Sequence, residues 1–299
     1  MPCMDIIKDL QKLGFGYVSV LDGASLELPY RRVILCFYFY QAAKEDPLIR
    51  EAVIHPYYPA SQKAYRSIQT LKEEYRQAGI VLDDRADIRL KPVFLKLPFL
   101  RRGMNTLSYF EKEGSRFHVQ VLTCNEAIPV THIPDTEERS LSCRDCGRCM
   151  RACPGGAIRE DGFDREKCLR WWMLNGRVPP EGIFRKMGNR LIGCDICESV
   201  CPYNHPAVTA PVMISLKQLL SRDPSLDLSG MIGKNYAIAN RILIQSCAVA
   251  GCCHRTDLAP LIGQMHEESM SPAVRQAAVC ALTMLHEEET EQEQQGKEI

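Results

Sequence analysis

The sequence predicts an α+β protein of several domains, with an N-terminal α/β domain, a central cysteine-rich domain and a C-terminal helical domain. Three observations support this prediction. Positions 31–40 read RRVILCFYFY, which is typical of a buried strand; eight of the 15 cysteines lie between positions 143 and 201; and the apolar residues that follow recur at helical spacing. A length of 299 residues is typical of about two domains and provides ample material for a core.

The first part of the chain carries the pattern of an α/β domain. Apolar residues at helical spacing predict a short helix at residues 4–13. The stretch 31–40 is nearly continuous in hydrophobicity, so it predicts a central strand that is covered on both faces. A second amphipathic helix of about four turns follows from Ser61 and ends at Gly79, where glycine suits a left-handed cap.

Two further strands complete the expected domain. Residues 80–82 predict a short strand that runs into Asp83 and Asp84, and residues 116–122 alternate apolar and polar side chains as a half-buried strand does. The polar stretch 132–142 contains a proline and predicts a linker. We therefore place the α/β domain at residues 1–140.

The composition limits the partners of this chain. Lys plus Arg and Asp plus Glu number 37 each, so no overall field draws the chain to DNA, RNA or an anionic membrane. Any RNA contact must come from a local patch. We find no run of about 18 apolar residues that would predict a transmembrane helix and no secretory signal, so we expect a cytoplasmic protein.

The spacing of the central cysteines carries the chemistry. Cys143, Cys146, Cys149 and Cys153 are separated by two, two and three residues, and a proline follows, which is the bacterial ferredoxin pattern for holding 4Fe–4S clusters. Three thiolates spaced in this way can hold one cubane, whereas the cysteine before the proline ligates the other cluster in two-cluster ferredoxins. Downstream, CDICESVCP supplies three more cysteines, and Cys168 lies between the two halves.

These cysteines are sufficient for two clusters in a ferredoxin-like domain at residues 141–205. We expect two 4Fe–4S clusters, the first held by Cys143, Cys146, Cys149 and Cys201 and the second held by Cys153, Cys168, Cys194 and Cys197. We call these groups the first set and the second set. Together they use all eight cysteines of the region and leave none for a substrate.

Zinc sites and disulfides are the alternative interpretations. C-x-x-C pairs also suit tetrahedral zinc, but zinc sites rarely use C-x-x-C-x-x-C-x-x-x-C-P. Disulfides are less favoured, because closely spaced free thiols are typical of a reducing compartment. The seven cysteines outside the region are expected to be small buried residues. They are Cys3, Cys36, Cys124, Cys247, Cys252, Cys253 and Cys280.

The remainder of the chain is predicted to be helical. Ile214, Leu216, Leu219 and Leu220 begin a helical series, which residues 235–250 continue. We place the helical domain at residues 206–287.

The end of this domain predicts a pair of helices at residues 257–265 and 271–285. Its segment PAVRQAAVCALTML resembles the second helix of a HEAT repeat, so we call the domain HEAT-like. The last residues are almost all polar, which predicts a disordered tail at residues 288–299.

On these residues the sequence resembles a known family. The order of the two cysteine halves, the single Cys168 between them and the phrase GNRLIGCDICESVCPYN at positions 188–204 are similar to epoxyqueuosine reductase, an iron–sulfur and cobalamin enzyme that completes queuosine in tRNA. Reductive dehalogenases share the cysteine arrangement, and the phrase at 188–204 favours the tRNA-modifying branch. The resemblance covers the cysteine-rich part closely, the C-terminal part moderately and the first 140 residues weakly.

The resemblance implies an oxidoreductase that receives electrons from a flavodoxin, a ferredoxin or a similar donor, with tRNA as a partner. It also implies a cobalamin held by the N-terminal domain, an acidic proton donor, and a glycine-rich segment of the type G-L-G-W-x-G-K. When the family pattern is aligned on Gly114 and Ser115, Asp84 falls at the proton-donor position and Gly103 at the last, cofactor-binding glycine.

This sequence departs from the family pattern at residues 97–102, where LPFLRR replaces the other glycines. A flat corrin needs the close backbone approach that glycine allows. For Asp84 the alternative is a solvated turn formed with Asp83. Two hypotheses follow: an iron–sulfur oxidoreductase resembling epoxyqueuosine reductase, or an electron-transfer protein that has lost the corrinoid site. The conformation of residues 97–102 distinguishes them.

Two pairs of arginines and one pair of tryptophans complete the candidates. Arg31–Arg32 and Arg101–Arg102 are suited to contact tRNA phosphates, although a solvated surface is the favoured interpretation in a neutral chain. Trp171 and Trp172 are expected to pack over a cluster and exclude water from it.

Overall fold

The computed structural model describes residues 5–44, 46–131 and 143–295. Its strands are β1 (Tyr17–Asp22), β2 (Arg32–Phe39), β3 (Ala52–Ile54), β4 (Arg101–Arg102), β5 (Ser108–Tyr109), β6 (Phe117–Cys124), β7 (Ile158–Arg159), β8 (Gly162–Phe163), β9 (Arg190–Ile192) and β10 (Val212–Ile214). Its α-helices are α1 (Ile6–Lys12), α2 (Tyr57–Gln77), α3 (Leu90–Leu95), α4 (Cys143–Cys146), α5 (Arg148–Ala152), α6 (Leu169–Asn175), α7 (Glu181–Phe184), α8 (Ile196–Ser199), α9 (Leu216–Leu220), α10 (Leu228–Ile232), α11 (Ala239–Cys252), α12 (Ala259–Glu268) and α13 (Pro272–Gln295). The linker expected at 132–142 lies outside the described residues.

The described residues form two compact units. The first unit contains those in 1–42, 57–147 and 201–206, and the second contains those in 43–56, 148–200 and 207–299. These units do not coincide with the three consecutive domains expected from the sequence, because each unit takes segments from distant parts of the chain. The mixture of helix and strand agrees with the predicted α+β class.

A three-stranded antiparallel sheet in the order β1–β2–β6 is the centre of the first unit. β2 pairs with β1 on one side and, over its whole length, with β6 on the other. The prediction of a central strand at 31–40 is therefore confirmed, with β2 one residue shorter at each end. The strand predicted at 116–122 is confirmed as β6, which continues to Cys124.

Both faces of this sheet are covered, because the side chains of β2 alternate between two cores. Ile34 and Cys36 pack with apolar residues of α1 and α2. Val33, Leu35 and Phe37 lie in a second cluster, which we call the aromatic core. Its members include Tyr17, Leu21, Val33, Leu35, Phe37, Val93, Phe94, Leu97, Phe99, Leu100, Phe110 and Phe117. Burial of one such large side chain contributes about 1.5–3 kcal/mol.

The helix that covers the first face is longer than predicted. α2 begins at Tyr57, four residues before the expected start at Ser61, and Pro59 lies in its first turn, where proline is tolerated. Gly79 follows the helix with φ +85°, which confirms the predicted cap. The strand predicted at 80–82 is wrong, because the chain meets β6 at only one residue, where Asp83 and Thr123 exchange backbone hydrogen bonds of 2.9 and 2.8 Å.

The second unit contains a small mixed sheet in the order β10–β3–β9. β3 is antiparallel to β10 and parallel to β9. Ile214, which the spacing assigned to a helix, lies instead in β10 opposite Ala52. The short run Val212–Ile214 forms a strand because β3 offers it backbone partners, and the helical series begins only at α9.

The helices of the second unit pack around α11. Residues from Ile242 to Gly251 are buried there, α11 packs against α9 and α13, and α12 packs against α13. The disordered tail predicted from residue 288 is wrong as far as Gln295, because α13 continues to that residue. Glutamate and glutamine are good helix formers and extend a helix that the packed part has already nucleated. No described helix is both long and apolar enough to cross a membrane.

Candidate functional site

The second set of cysteines lies on four separate elements of the second unit. Cys153 follows α5, Cys168 is the N-cap of α6, Cys194 follows β9, and Cys197 lies in α8. α5 packs against α8, so the two halves of the cysteine pattern lie side by side. The fold thus brings together residues that are more than 40 positions apart in the sequence.

Two glycines shape the chain around the second set. A Cβ atom at Gly155 would lie 1.9 Å from the carbonyl oxygen of Lys167, the residue that precedes Cys168. Only glycine permits this approach. Gly193 has φ +86° immediately before Cys194, which is a conformation that favours glycine. These positions are therefore required for the loops that carry the cysteines.

The sulfur of Cys153 accepts a hydrogen bond from the backbone N–H of Ala157 at 3.3 Å. Hydrogen bonds from amides to cysteine sulfur stabilise the thiolate and help to set the potential of an iron–sulfur cluster. The arrangement places an amide donor where a cluster ligand would need one.

The other three thiols of the second set lie within electrostatic reach of each other. Burial raises the pKa of Cys194 to about 11, and the charge of Cys168 acts in the same direction. Burial also raises the pKa of Cys197, and the charges of Cys194, Cys168 and Cys149 add to it. Bare thiolates are unfavourable in such surroundings, whereas a coordinating metal deprotonates a thiol. The site therefore suits cysteines that bind iron.

Three members of the first set lie in the first unit. Cys143 and Cys146 stand at the two ends of α4, and Cys201 begins the segment 201–206. Cys149 lies in α5 and belongs to the second unit.

A pair of tyrosines lies beside two of these thiols. The rings of Tyr109 and Tyr203 are tilted by 30° with centroids 4.3 Å apart. Burial raises the pKa of Tyr109, and its hydrogen bond with Tyr203 and the charges of Cys143 and Cys201 add to the effect. The pair therefore forms an aromatic wall next to the first set.

The segment that follows Cys201 is fixed to the turn before β6. The side-chain oxygen of Asn204 accepts a hydrogen bond from the backbone N–H of Ser115 at 2.7 Å, and its Nδ2 donates to Ser115 Oγ at 3.0 Å. A Cβ atom at Gly114 would lie 2.1 Å from the same oxygen. The guanidinium of Arg116 also donates to the carbonyl of the residue after Asn204. This loop of the first set is therefore tightly constrained.

The chemistry of the two sets fits iron–sulfur clusters. None of the eight cysteines forms a disulfide and each is partly accessible, as ligands that receive a cluster must be. Within the part of the chain that the structure describes, no three His, Cys, Asp or Glu side chains converge as the ligands of a single metal ion do. A cubane instead takes one thiolate at each of its irons, so its ligands need not converge on one point.

The expectation that the other cysteines are buried is confirmed for most of them. Burial raises the pKa of the Cys36 and Cys247 thiols, which makes them poor nucleophiles. Cys3 lies outside the described residues. The buried thiols are Cys36, Cys124, Cys247 and Cys253, and the partly exposed ones are Cys252 and Cys280.

Three residues of the segment 97–102 pack into the aromatic core of the first unit, namely Leu97, Phe99 and Leu100. Leu97 and Leu100 are only 2% and 3% exposed. The ring of Phe99 stacks on that of Phe110 with an interplanar angle of 17° and centroids 5.7 Å apart. A corrin needs a bare backbone surface, and here the side chains fill the space that glycines would leave open. The residues present at this segment do not fit a cobalamin.

Gly103 lies in the turn between β4 and β5. Its N–H donates to the carbonyl of Leu107 at 2.8 Å, and its carbonyl accepts from the N–H of Thr106 at 3.0 Å. A Cβ atom at Gly103 would lie 2.6 Å from Asn105 Oδ1. A side chain at this position would have to displace the Asn105 amide, and the role of Gly103 in binding a cofactor stays a prediction.

Asp84 forms a partly buried ion pair with α2. Its side chain is 7% exposed and accepts hydrogen bonds from Lys72 Nζ at 2.6 Å and Gln69 Nε2 at 2.8 Å. Burial alone would raise the pKa of Asp84, but the contacts with Lys72 and Gln69 outweigh it and hold the pKa below its ordinary value. The carboxyl is thus ionised at neutral pH. The exposed turn is formed by Asp83, which accepts from the N–H of Arg85 at 3.0 Å.

The arginine and tryptophan pairs have partners within their own units. Arg32 donates to a backbone carbonyl at 2.7 Å, and Arg101 pairs with Glu111 at 2.9 Å. Trp171 and Trp172 pack edge to face with centroids 4.7 Å apart. The indole N–H of Trp172 donates to a backbone carbonyl at 2.6 Å. Roles of these residues toward tRNA or a cluster stay predictions.

Comparison with known proteins agrees with the geometry of the cysteines. Residues 142–204 match the family model described as the 4Fe–4S double cluster binding domain. A curated epoxyqueuosine reductase of Francisella cf. novicida is 29% identical over 160 residues, which cover 52% of this chain and 43% of that protein. The epoxyqueuosine reductase of Shewanella oneidensis is 36% identical over 128 residues, which cover 42% of this chain and 31% of that protein.

The chain is similar to the epoxyqueuosine reductases. Its matched part covers less than half of the length of these two relatives. An uncharacterised protein of Geobacillus stearothermophilus is also similar, with 29% identity over 172 residues that cover 51% of this chain and 78% of that one.

Solved structures of epoxyqueuosine reductases share the fold. The Bacillus subtilis enzyme, described with its catalytic aspartate loop swung out of the active site, gives a TM-score of 0.70 at 17% identity and covers 93% of this chain and 89% of that one. An epoxyqueuosine reductase with an epoxyqueuosine-modified tRNA-Tyr stem loop gives a TM-score of 0.70 at 17% identity. That match covers 93% of this chain and 88% of the other. The fold is therefore retained although the sequence has diverged.

Sequence reasoning missed several residues that lie around the cysteine sets and Asp84. Lys72 lies 12 residues before Asp84, and Tyr109 lies far along the chain from Tyr203, so no local pattern indicated either contact. Tyr203 and Asn204 belong to the phrase CPYN, and their position directly after Cys201 was the available signal for a role in holding that cysteine.

Proposed function

We propose that this chain is an iron–sulfur oxidoreductase of the epoxyqueuosine reductase type, which reduces a modified nucleoside in tRNA. The observation that carries the proposal is the placement of the cysteines. The second set meets in one unit, with three of its thiols in electrostatic contact, and two members of the first set lie beside one tyrosine pair. The solved relative with a tRNA stem loop supports tRNA as the partner.

In this proposal each set binds one 4Fe–4S cluster, with the ligands assigned above. When bound, such clusters supply one-electron transfer. The chain holds and tunes the ligands: the Ala157 amide supports the Cys153 thiolate, and Asn204 fixes the loop of Cys201. Tyr109 and Tyr203 keep water away from the first set. A flavodoxin, a ferredoxin or a similar protein provides the electrons.

The arrangement of the chain into three functional parts belongs to the same proposal. The part at 1–140 would hold the substrate, the part at 141–205 the clusters, and α12 with α13 would form a HEAT-like pair. The packing of α12 on α13 and of α13 on α11 supports a layered helical arrangement. The cytoplasmic location expected from the sequence stays a prediction.

Asp84 remains our candidate for the acid that protonates the oxygen released from an epoxide. A general acid must carry its proton at the working pH, and the ion pair with Lys72 holds the Asp84 carboxyl ionised. We therefore propose that Asp84 acts only after its contact with Lys72 is broken by movement of its loop. The relative whose catalytic aspartate loop is swung out shows that such a loop moves in that protein.

A second candidate function is an electron-transfer protein without a corrinoid site. The observation that favours it is the burial of Leu97, Phe99 and Leu100 in the aromatic core, which leaves no bare backbone for a corrin at this segment. In this alternative the clusters are kept and the acceptor is another protein.

One experiment separates the two functions. Anaerobically reconstituted protein is analysed for iron and sulfide, passed through a desalting column after addition of cobalamin, and assayed with epoxyqueuosine-containing tRNA and a chemical reductant. About eight irons per chain are expected in both cases. Conversion of the tRNA supports the reductase, with Asp84→Asn as the variant that must lose it. If the protein holds about eight irons per chain but does not convert the tRNA, whether or not cobalamin is added, the electron-transfer function is favoured.

Iron content also tests the premise of both functions. About four irons or fewer per chain, or one or more equivalents of zinc, would contradict the two-cluster assignment. Cys280→Ser is the matched control, because Cys280 is a partly exposed thiol outside both sets. Its iron content and its activity should equal those of the unchanged chain.

A further inference from the structure

The second unit contains a cavity that the proposed function does not use. It has a volume of about 520 Å³ and lies between the segment Ala43–Pro56, the ends of β9 and the C-terminal end of α11. Pockets for small ligands have volumes of about 300–1,000 Å³. We call it the β9 cavity. Its size is sufficient for a ligand as large as a mononucleotide.

Two cations line the β9 cavity without an ion-pair partner among the described residues. They are Lys44 and Arg50. Other charged groups of the lining have partners within the chain: Arg190 pairs with Asp195 at 3.2 Å, and His55 Nε2 lies 3.2 Å from a carboxylate oxygen of Glu198. One carboxylate oxygen of Asp46 accepts from the backbone N–H of Leu48 at 2.9 Å. An anionic ligand in the cavity would therefore meet Lys44 and Arg50 without first displacing a carboxylate of the described chain.

The backbone that carries these cations is anchored on both sides. The N–H of Lys44 donates to the carbonyl of Thr209 at 2.9 Å, and the carbonyl of Arg50 accepts from Arg255 Nη1 at 3.1 Å. The carboxylate of Glu51 has two partners of its own. One oxygen accepts a hydrogen bond from Arg255 Nη1 at 2.6 Å, and the other accepts from the backbone N–H of Leu216 in α9 at 2.6 Å. The backbone of this segment is thus held in place, and the side chains of Lys44 and Arg50 remain available to a ligand. Because the backbone is already ordered, binding costs less conformational entropy.

Glycines and carboxylates complete the lining. Gly188 and Gly193 flank β9 with φ values of +60° and +86°, so a ligand can approach the backbone there closely. Asp46 adds a carboxylate, whose oxygens accept hydrogen bonds from hydroxyl or amino groups. The lining therefore offers cations for an anionic group and acceptors for a group that carries donors.

We propose that the β9 cavity binds a nucleotide, with its phosphate at Lys44 and Arg50 and its hydroxyl or amino groups at Asp46. Arginine suits phosphate because its planar fork donates two parallel hydrogen bonds, and lysine adds a second positive charge. The nucleotide is either a free mononucleotide or a nucleotide of a bound RNA. The proposal does not rest on the reductase assignment, because binding is measured directly.

The first arm of the test uses AMP and the anaerobically reconstituted protein in isothermal titration calorimetry. We expect AMP to bind with a Kd below about 1 mM. Arg50→Ala and Lys44→Ala should each weaken binding about tenfold or more, as expected for the loss of a charged hydrogen bond. Arg50→Lys should retain part of the affinity. The matched control is Arg66→Ala, which removes an exposed arginine of α2 and should change nothing.

The second arm identifies the source of the nucleotide with a tRNA anticodon stem loop. If the RNA is the source, Lys44→Ala and Arg50→Ala weaken its binding about tenfold while Arg66→Ala does not. If a free nucleotide is the source, AMP binds and the RNA does not displace it. The proposal is overturned if neither probe depends on Lys44 and Arg50, or if all three variants weaken RNA binding equally, which would show a general effect of charge. Unchanged iron content and circular dichroism would confirm that the variants are folded.

Discussion

The side-chain oxygen of Asn204 and the backbone nitrogen of Ser115 are joined by a hydrogen bond of 2.7 Å. Asn204 follows Cys201 by three residues, whereas Ser115 lies two residues before β6, so the bond ties the loop of a proposed iron ligand to the central sheet of the first unit. Gly114 leaves the room for this contact. The geometry of the first set therefore depends on residues that bind no metal.

The close contact at Gly114 gives the first prediction. In Gly114→Ala the new methyl group would lie 2.1 Å from Asn204 Oδ1 and 2.7 Å from the carbonyl of Tyr203, so the loop of Cys201 must move. We expect iron to fall from about eight to about four per chain as the first set loses its cluster. Gly79→Ala is the control, because Gly79 has a similar φ of +85° but no atom within 4 Å. It should keep about eight irons. Equal iron in both variants would contradict the prediction.

The second prediction concerns Cys168, the single cysteine between the two halves of the pattern. Cys168→Ser should lower iron to about four per chain, because the second set then has only three thiolates. Cys280→Ser should leave iron at about eight. Measurement of iron and sulfide after anaerobic reconstitution checks both values. If Cys168→Ser retained the full amount of iron, Cys168 would have to be removed from the ligand assignment.

The third prediction concerns the ion pair of Lys72 and Asp84. Its side chains are 23% and 7% exposed, and we expect a coupling free energy of about 1–3 kcal/mol at pH 7 from the cycle of Lys72→Met, Asp84→Asn and the double variant. Urea unfolding of the four proteins measures it. The control pair is Lys12 and Asp9, a more exposed ion pair, for which about 0.5 kcal/mol or less is expected.

The pH dependence of that coupling follows from the lowered pKa of Asp84. A carboxyl whose folded pKa lies below its unfolded pKa stabilises the fold above the unfolded value and loses that contribution as the pH falls through the folded value. The ordinary value is 3.8. We therefore expect constant coupling from pH 8 to 5 and a decrease only below about pH 4. A decrease already between pH 7 and 5 would instead indicate a raised pKa, as a resting general acid requires.

The fourth prediction tests whether residues 97–102 belong to the core. Leu100 is 3% exposed in the aromatic core, so Leu100→Ala should lower the free energy of unfolding by about 2–5 kcal/mol. Leu95, five residues earlier, is 58% exposed, and Leu95→Ala should change it by about 0.5 kcal/mol or less. Denaturant titration compares the two variants. Similar small effects would mean that this segment is free to rearrange around a cofactor.

Several elements could be predicted because their signals are local. The strand β2 follows from a run of β-branched and aromatic residues, and α2 with its cap at Gly79 follows from helical spacing and one glycine. The cysteine pattern at 143–201 is also local, since the spacing within each half reflects the geometry of a cubane. Such patterns act between near neighbours, so tertiary structure did not alter them.

Other elements differed from prediction because distant partners decided them. Ile214 became part of a strand when β3 supplied backbone partners, and residues 80–82 failed to form one because β6 meets the chain only at Asp83. Residues 288–295 became helical as a continuation of α13, although their composition alone is typical of disorder.

The sequence by itself determined the central strand and the main helices and predicted the cysteine ligands, because each depends on contacts or periodicities within a few residues. Only the tertiary structure decided that Asp84 pairs with Lys72, that Leu100 fills the aromatic core, and that Lys44 and Arg50 line a cavity. The physical reason is that burial and charge pairing depend on which distant segments the fold brings together. The spacing of residues along the chain does not indicate which distant segments come into contact.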